Sequence, residues 1–251
     1  MRKGFASRVR RVVDQADVVL EVVDARFPEH TRNFLMEKRI AKTGQALVVI
    51  LNKSDLISAT QAKKAKAVIT KDFPCVFMSA KERSGKKRIL AEIGKATKGK
   101  EIRVGVVGYP NTGKSSIINL MKGKKVASTS RKAGFTRGEQ LIRISENVML
   151  IDTPGVIPAE EWDEFALFLV GSKNVQDLKD HELVAIKLLE YLAVEKPKAL
   201  KKRYGLGKIK NVEKALEEIA LQRKRLFKGG KPDILAASRI VLEDWGRGKL
   251  N

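Results

Sequence analysis

Apolar runs and polar breaks alternate along the first two thirds of the chain in a rhythm that predicts strands and helices by turns. Asp17 to Asp24 (Asp-Val-Val-Leu-Glu-Val-Val-Asp) is largely apolar and β-branched, as a strand buried in a parallel sheet must be. Ala46 to Leu51, Cys75 to Met78 and Ile102 to Val107 have the same character. Between them, Arg32 to Thr43, Ala59 to Lys71 and Lys86 to Thr97 read as helices. This alternation predicts an α/β fold with a doubly wound sheet. Glu139 to Ile144 and Val148 to Ile151 read as a hairpin around Glu146-Asn147, and the basic stretch Lys122 to Gly138 before it reads as a mobile loop.

At the start, Phe5, Val9, Val12 and Val13, with arginines between them, predict a short amphipathic helix from Phe5 to Val13. An Arg-rich opening also fits an organelle presequence, but a core strand begins so soon afterwards that no removable segment is expected. From about Asn174 the strand signal stops. Helical spacing covers His181 to Val194, Asn211 to Phe227 and Asp233 to Trp245. In the second of these, Val212, Ala215, Leu216, Ile219 and Ala220 share one face and Asn211 is the expected N-cap. The expected division is an α/β domain over residues 1–173 and a small all-α domain over residues 174–251.

Charge changes the picture. The 251 residues include 51 Lys+Arg against 29 Asp+Glu, a net charge of +22. Such an excess attracts polyanions. No apolar run approaches the roughly 18 residues that span a membrane, so nucleic acid is the expected partner and a membrane is not. Cys75 is the single cysteine and lies in an apolar run, which fits a small buried hydrophobe in a reducing cytoplasm.

Chemistry concentrates at strand ends. Gly108-Tyr109-Pro110-Asn111-Thr112-Gly113-Lys114-Ser115 lies between the run Ile102–Val107 and a helix-like segment from Ser116. A phosphate-binding P-loop needs that context, because its amides and the helix N-terminus cradle the phosphates. Asn111 to Ser116 are the expected phosphate contacts, with Lys114 on the β- and γ-phosphates and Ser115 on Mg²⁺. Asn52-Lys53-x-Asp55, after another strand, has the chemistry of guanine recognition. The Asp55 carboxylate can accept from guanine N1–H and N2, Asn52 is expected on the base edge, and the Lys53 stem over the base plane. Adenine offers neither donor, which supports discrimination on the order of 10⁴. Asp152-Thr153-Pro154-Gly155 closes a further strand. Asp152 is the expected Mg²⁺ partner and the Gly155 amide a γ-phosphate contact, with Thr136 closing over Mg²⁺ and the γ-phosphate.

These elements resemble the motifs of translation-factor-like GTPases in an unusual order. Asn52 to Asp55 and Ser79-Ala80-Lys81 precede the P-loop, Thr136 and Asp152 to Gly155. With Asp24-Ala25-Arg26-x-Pro28 near the start, that order resembles the circularly permuted GTPases of the YlqF/YawG family, which are ribosome-assembly factors. Leu226 to Asp233 and Asp244 to Leu250 resemble the helical C-terminal domain of its bacterial members. The resemblance implies a circularly permuted Ras-like P-loop domain in which Ser79, Ala80 and Lys81 complete the guanine site. It also implies that Asn111 corresponds to an asparagine holding K⁺ in cation-dependent relatives. Lys114, Thr136 and Gly155 are then the transition-state contacts. Val156 stands where Ras-like enzymes orient water with glutamine, and Gly4-Phe5-Ala6-Ser7 lacks the histidine of bacterial relatives. Slow intrinsic hydrolysis is expected, stimulated by ribosomal particles, and no residue is assigned to activate water.

The basic stretch Lys196 to Arg203, with Lys208, Lys210, Arg223, Lys224 and Arg225, is expected to meet ribosomal RNA phosphates. With aromatics at only 6% of residues, base-stacking platforms are expected to be scarce. The reading is a monomeric GTPase switching on a large-subunit precursor. The alternative is a GTP-gated RNA-binding module with negligible hydrolysis.

Overall fold

The computed structural model describes residues 10–96, 101–123, 129–130, 140–152, 155–156 and 163–250. They form two compact units, residues 1–162 and 163–251.

In the first unit, residues 10–15 form helix α1. After it come β1 (Val18–Asp24), α2 (Pro28–Thr31), α3 (Phe34–Thr43), β2 (Ala46–Asn52), α4 (Ala59–Ile69), β3 (Cys75–Phe77), α5 (Lys86–Ala96), β4 (Ile102–Gly108) and α6 (Lys114–Lys122). The unit continues with β5 (Thr129–Ser130), β6 (Gln140–Ser145), β7 (Val148–Asp152) and β8 (Gly155–Val156). The sheet order is β3-β2-β1-β4-β7-β6-β5, and β8 extends beside β4. From β3 to β7 neighbours run parallel, while β6 and β5 add an antiparallel edge. The strand β5 falls within the stretch expected to be loop, and it pairs Thr129 with Ile142. The Phe5–Val13 helix is seen from residue 10, its earlier part lying outside the described residues.

Alternate residues of the buried strands serve opposite faces. Val18, Leu20 and Val22 of β1 pack with Ile89 and Ile93 of α5 and Ile117 and Met121 of α6. Val19 packs with Val12 and Val13 of α1 and Met36 and Ile40 of α3, while Val23 packs with Ala65 and Ile69 of α4. Helices on both faces make β1 apolar throughout, except for Glu21 and the terminal Asp24.

Glu21 is fully buried and points into a polar knot that fixes the start of α3. Its Oε1 accepts the Asn33 amide at 2.6 Å, and Arg32 grips Glu37 with two 2.7 Å bonds. Burial and the neighbouring Glu37 push the Glu21 carboxyl well above its usual range, which favours the neutral acid. Cys75 is half-buried, and burial raises its thiol, as a small hydrophobe in the sheet requires.

The second unit contains α7 (Glu164–Leu169), α8 (His181–Glu195), α9 (Pro197–Tyr204), α10 (Val212–Gln222) and α11 (Ile234–Gly246). It begins before α7, not at residue 174. Glu164 accepts the Lys179 and Asp180 amides, and Lys187 pairs with Asp163 at 3.0 Å, so the segment around α7 is bonded to α8 and its approach. Leu188, Leu189, Leu192, Leu216, Ile219, Val241 and Leu242 are fully buried. Asn211 caps α10 as expected, accepting from the Lys214 amide at 2.9 Å. The helix stops at Gln222, short of the expected Phe227, because Lys224 takes φ 51° and the Arg225 amide turns back to Ala220.

A second polar knot closes the bundle. Asp244 receives two bonds from Arg203 (2.7 and 2.9 Å) and one from the Tyr204 hydroxyl (2.9 Å), with the Lys249 ammonium at 3.2 Å. Burial alone would raise this carboxyl, but its donors hold it below the usual carboxylate range. Replacing it strands the buried Tyr204 hydroxyl. Asp244→Ala is expected to cost this unit about 3 kcal/mol, read by urea unfolding of Trp245 fluorescence in a Trp162→Phe background. Because the folded pKa is depressed, the contribution is present above pH ~4 and lost as acid titrates the group. Asp244→Asn should retain part of it.

Candidate functional site

Parallel pairing brings the carboxyl ends of three strands level. Asp24 of β1 lies opposite Asn52 of β2, and Val22 lies opposite Gly108, the last residue of β4. Open α/β sheets bind ligands at that edge. The P-loop starts there.

Its backbone is strained where a phosphate cradle has to be. Gly108 has φ 149°, and a Cβ on it would lie 2.4 Å from the Val22 carbonyl oxygen. Asn111 has φ 59° and Gly113 φ 99°. Gly113 is the N-cap of α6 and supplies no capping side chain, so the first-turn amides of this nine-residue helix are left for an anion. Ser115 and Ser116 are exposed in that first turn. The Tyr109 carbonyl accepts from the Thr112 hydroxyl at 2.8 Å and from the Lys114 ammonium at 2.6 Å. Burial lowers the Lys114 pKa to about 8. A lysine desolvated this way gains from any phosphate that replaces the lost water. At the other end of α6, Lys86 donates to the Met121 carbonyl at 2.7 Å and holds the helix in place.

The residues expected to read guanine lie beside this cradle. Asn52 is buried, and its amide joins both loops: Nδ2 donates to the Thr112 carbonyl at 2.8 Å and Oδ1 accepts the Ala80 amide at 3.3 Å. This makes Asn52 a tie between the P-loop and the Ser79–Ala80 loop, in addition to the base-edge contact that its motif predicts. Lys53, at φ 62°, reaches across and donates to Asp24 Oδ2 (2.7 Å) and to the Asn111 carbonyl (2.6 Å). The Ser79 hydroxyl donates to Asp55 Oδ1 at 2.6 Å and accepts the Glu82 amide at 3.0 Å. Asp55 is thereby oriented while remaining partly exposed, and Lys81 is exposed.

Asp24 is the residue that motif reading undervalued. It is fully buried, and its carboxylate takes Arg26 through Nε (2.9 Å) and a terminal nitrogen (2.7 Å) as well as Lys53. Burial would raise this carboxyl, yet Arg26 and Lys53 hold it below the usual range. The Asp24 amide donates to the Thr31 hydroxyl at 3.1 Å, which anchors α2 and its His30 at the same sheet edge. The available signal was a charged residue ending an otherwise apolar buried strand.

Asp152 ends β7, one strand from the P-loop strand, and the backbone of Gly155 and Val156 pairs with Val107 and Gly108. Thr136 lies outside the described residues.

Comparison with known proteins agrees with this geometry. A family model described as RsgA GTPase matches residues 3–162, and one described as 50S ribosome-binding GTPase matches residues 103–226. The chain is 38% identical over 250 residues to an uncharacterized GTP-binding protein of Methanocaldococcus jannaschii, covering 97% of this chain and 65% of that protein. It is 34% identical over 260 residues to nuclear/nucleolar GTPase 2 of Oryza sativa, covering 99% and 48%. Nucleolar GTP-binding protein 2 of Yarrowia lipolytica is 34% identical over 261 residues, covering 99% and 51%. The chain therefore spans less than two thirds of each of these relatives. Among solved structures, GDP-bound TM YlqF matches with a TM-score of 0.59 and 26% identity over 96% of this chain and 95% of that one. GNP-bound YlqF from T. maritima matches at 0.57 and 25%, over 97% and 93%. With its base-loop motifs ahead of the P-loop in sequence and beside it in space, the chain belongs to the circularly permuted GTPases of the YlqF/YawG family.

Proposed function

We propose that this chain binds GTP and GDP at the β1, β2 and β4 strand ends, hydrolyses GTP to GDP and phosphate, and acts as a GTP-switched assembly factor on the large ribosomal subunit. The observation that carries the nucleotide reading is the Asn52 amide, bonded at once to the P-loop and to the Ser79–Ala80 loop. In this reading Asp55, held by Ser79, accepts from guanine, with Lys53, Ala80 and Lys81 framing the base. The amides from Asn111 to Ser116 and the Lys114 ammonium take the phosphates, with Gly155 and Thr136 at the γ-phosphate. Mg²⁺ bound by Ser115, Asp152 and Thr136 would neutralise charge developing between the β- and γ-phosphates. K⁺ beside Asn111 would add positive charge there.

The ribosomal part rests on the names of relatives, the family description and the charge of +22. The helical unit would then meet ribosomal RNA phosphates, with no membrane involved. Among the described residues no helix is long and apolar enough to cross one. A cytoplasmic monomer is part of this reading, while relatives in eukaryotes carry nuclear or nucleolar names. Val156, aligned in the sheet beside Gly108, favours a second reading in which hydrolysis is negligible and GTP only gates RNA binding.

The test has two arms. Titration calorimetry should show GTP binding with ATP binding weaker by at least about 10³-fold; equal affinities would remove the guanine assignment. Sedimentation with large ribosomal subunits should favour a non-hydrolysable GTP analogue over GDP and weaken steeply with salt. Equal or absent binding in the two states would remove the switch, and GTP turnover unchanged by subunits would favour the second reading.

Lys114 also makes nucleotide binding depend on pH. Its pKa of about 8 in the free protein must rise when phosphates surround it. Affinity for GTP should therefore be level below pH 8 and fall as pH rises above it, approaching tenfold per unit. Lys114→Arg, charged throughout, should lack that inflection in a fluorescent-nucleotide titration.

A further inference from the structure

The stretch after α10 contains a feature that helix patterning hides. Leu226 and Pro232 form an antiparallel bridge, the Phe227 amide donates to the Lys231 carbonyl at 2.9 Å, and the Gly230 amide returns to the Phe227 carbonyl at 3.1 Å. The Asp233 amide closes the base by donating to the Arg225 carbonyl at 2.9 Å, and the same Asp233 caps α11. A short hook is thus pinned at both ends to helices.

At its tip the hook carries an aromatic ring in water. Phe227 is 59% exposed and Leu226 45%, an expensive display of apolar surface on a turn. Lys224, Arg225, Lys228 and Lys231 around it are all exposed. None of these four is paired with a carboxylate among the described residues, whereas Arg203, Arg247 and Lys249 all are. Gly229 and Gly230 have φ of 90° and 80°, with nothing within 4 Å of where a Cβ would sit. A bulky ligand backbone can therefore approach the turn closely.

We propose that the Leu226–Pro232 hook is a binding element for single-stranded RNA, in which Phe227 stacks on an unpaired base while Lys228 and Lys231 hold the flanking phosphates. The chemistry of the patch selects this occupant. An apolar partner would leave four unpaired cations at its rim, and a duplex would satisfy the cations while offering Phe227 no base face. An unpaired strand satisfies both, since aromatic stacking and phosphate pairing together define single-strand platforms. This deepens the proposed RNA binding and rests on it.

The test uses the whole chain, a 12-nucleotide single-stranded RNA carrying 2-aminopurine at its centre, and a blunt RNA duplex of equal length. Phe227→Ala should weaken the single strand roughly tenfold and remove fluorescence quenching of the analogue base, with duplex binding unchanged. Phe227→Trp should keep both affinity and quenching. Lys228→Ala with Lys231→Ala should lower the salt slope, by about 0.7 for each phosphate no longer neutralised. If wild type binds RNA but Phe227→Ala binds both RNAs as wild type does, or loses both equally, the hook is overturned and the general reading survives. If wild type binds neither RNA, both fall.

Discussion

Gly113→Ala is expected to reduce nucleotide affinity by at least roughly 30-fold, and the loss should depend on a residue in a different loop. A Cβ on Gly113 would sit 2.1 Å from Asn52 Nδ2, and the φ of 99° is one that L side chains rarely adopt. Strained backbone of this kind costs about 1–3 kcal/mol. Displacing the Asn52 amide strands the bonds to the Thr112 carbonyl and the Ala80 amide, for about 1–3 kcal/mol more. A double-mutant cycle separates the two causes. In an Asn52→Ala background the clash is gone, and Gly113→Ala should cost only its backbone strain. Calorimetry on the four proteins decides it. Additive losses would mean that Gly113 acts through its φ alone.

Asp24→Ala is expected to cost about 3 kcal/mol of stability and roughly tenfold in GTP affinity. The carboxylate is buried beneath Arg26 and Lys53, and Lys53 in turn holds the Asn111 carbonyl of the P-loop. Removing Asp24 leaves a lysine with one partner where it had two, and it frees the loop that carries Asn111. Arg26→Ala is the discriminating variant. Arg26 grips Asp24 and lies over the Phe27 ring at 5.0 Å, while the bond to the P-loop carbonyl comes from Lys53. Its loss should therefore affect stability more than affinity. Urea unfolding and nucleotide titration of both variants would show this split. Equal affinity losses from the two would place Asp24 as a packing residue only.

How much of this was legible depends on the range of the interaction. The runs at Val18–Asp24, Ala46–Asn52 and Ile102–Gly108 announced buried strands, because a strand covered on both faces admits few polar residues. The P-loop was legible because strand, glycines, lysine and helix are contiguous. The end of α10 was misread because Val212 to Ala220 sets a helical period that the chain abandons only at Lys224, through a single positive φ. Strand β5 was missed because two residues carry no period. The role of Asp24 was invisible as chemistry, since its partner Lys53 is 29 residues away.

The sequence by itself determined the α/β pattern, the P-loop, the order of its motifs and the basic character of the helical segment. All of these are carried by neighbouring residues or by composition. Tertiary structure alone decided that Asn52 ties two loops, that Asp24 props the P-loop through Lys53, and that a phenylalanine stands exposed among lysines with no carboxylate partner among the described residues. Each of those depends on strand register and on a turn's dihedral angles, which bring together side chains that no local pattern connects.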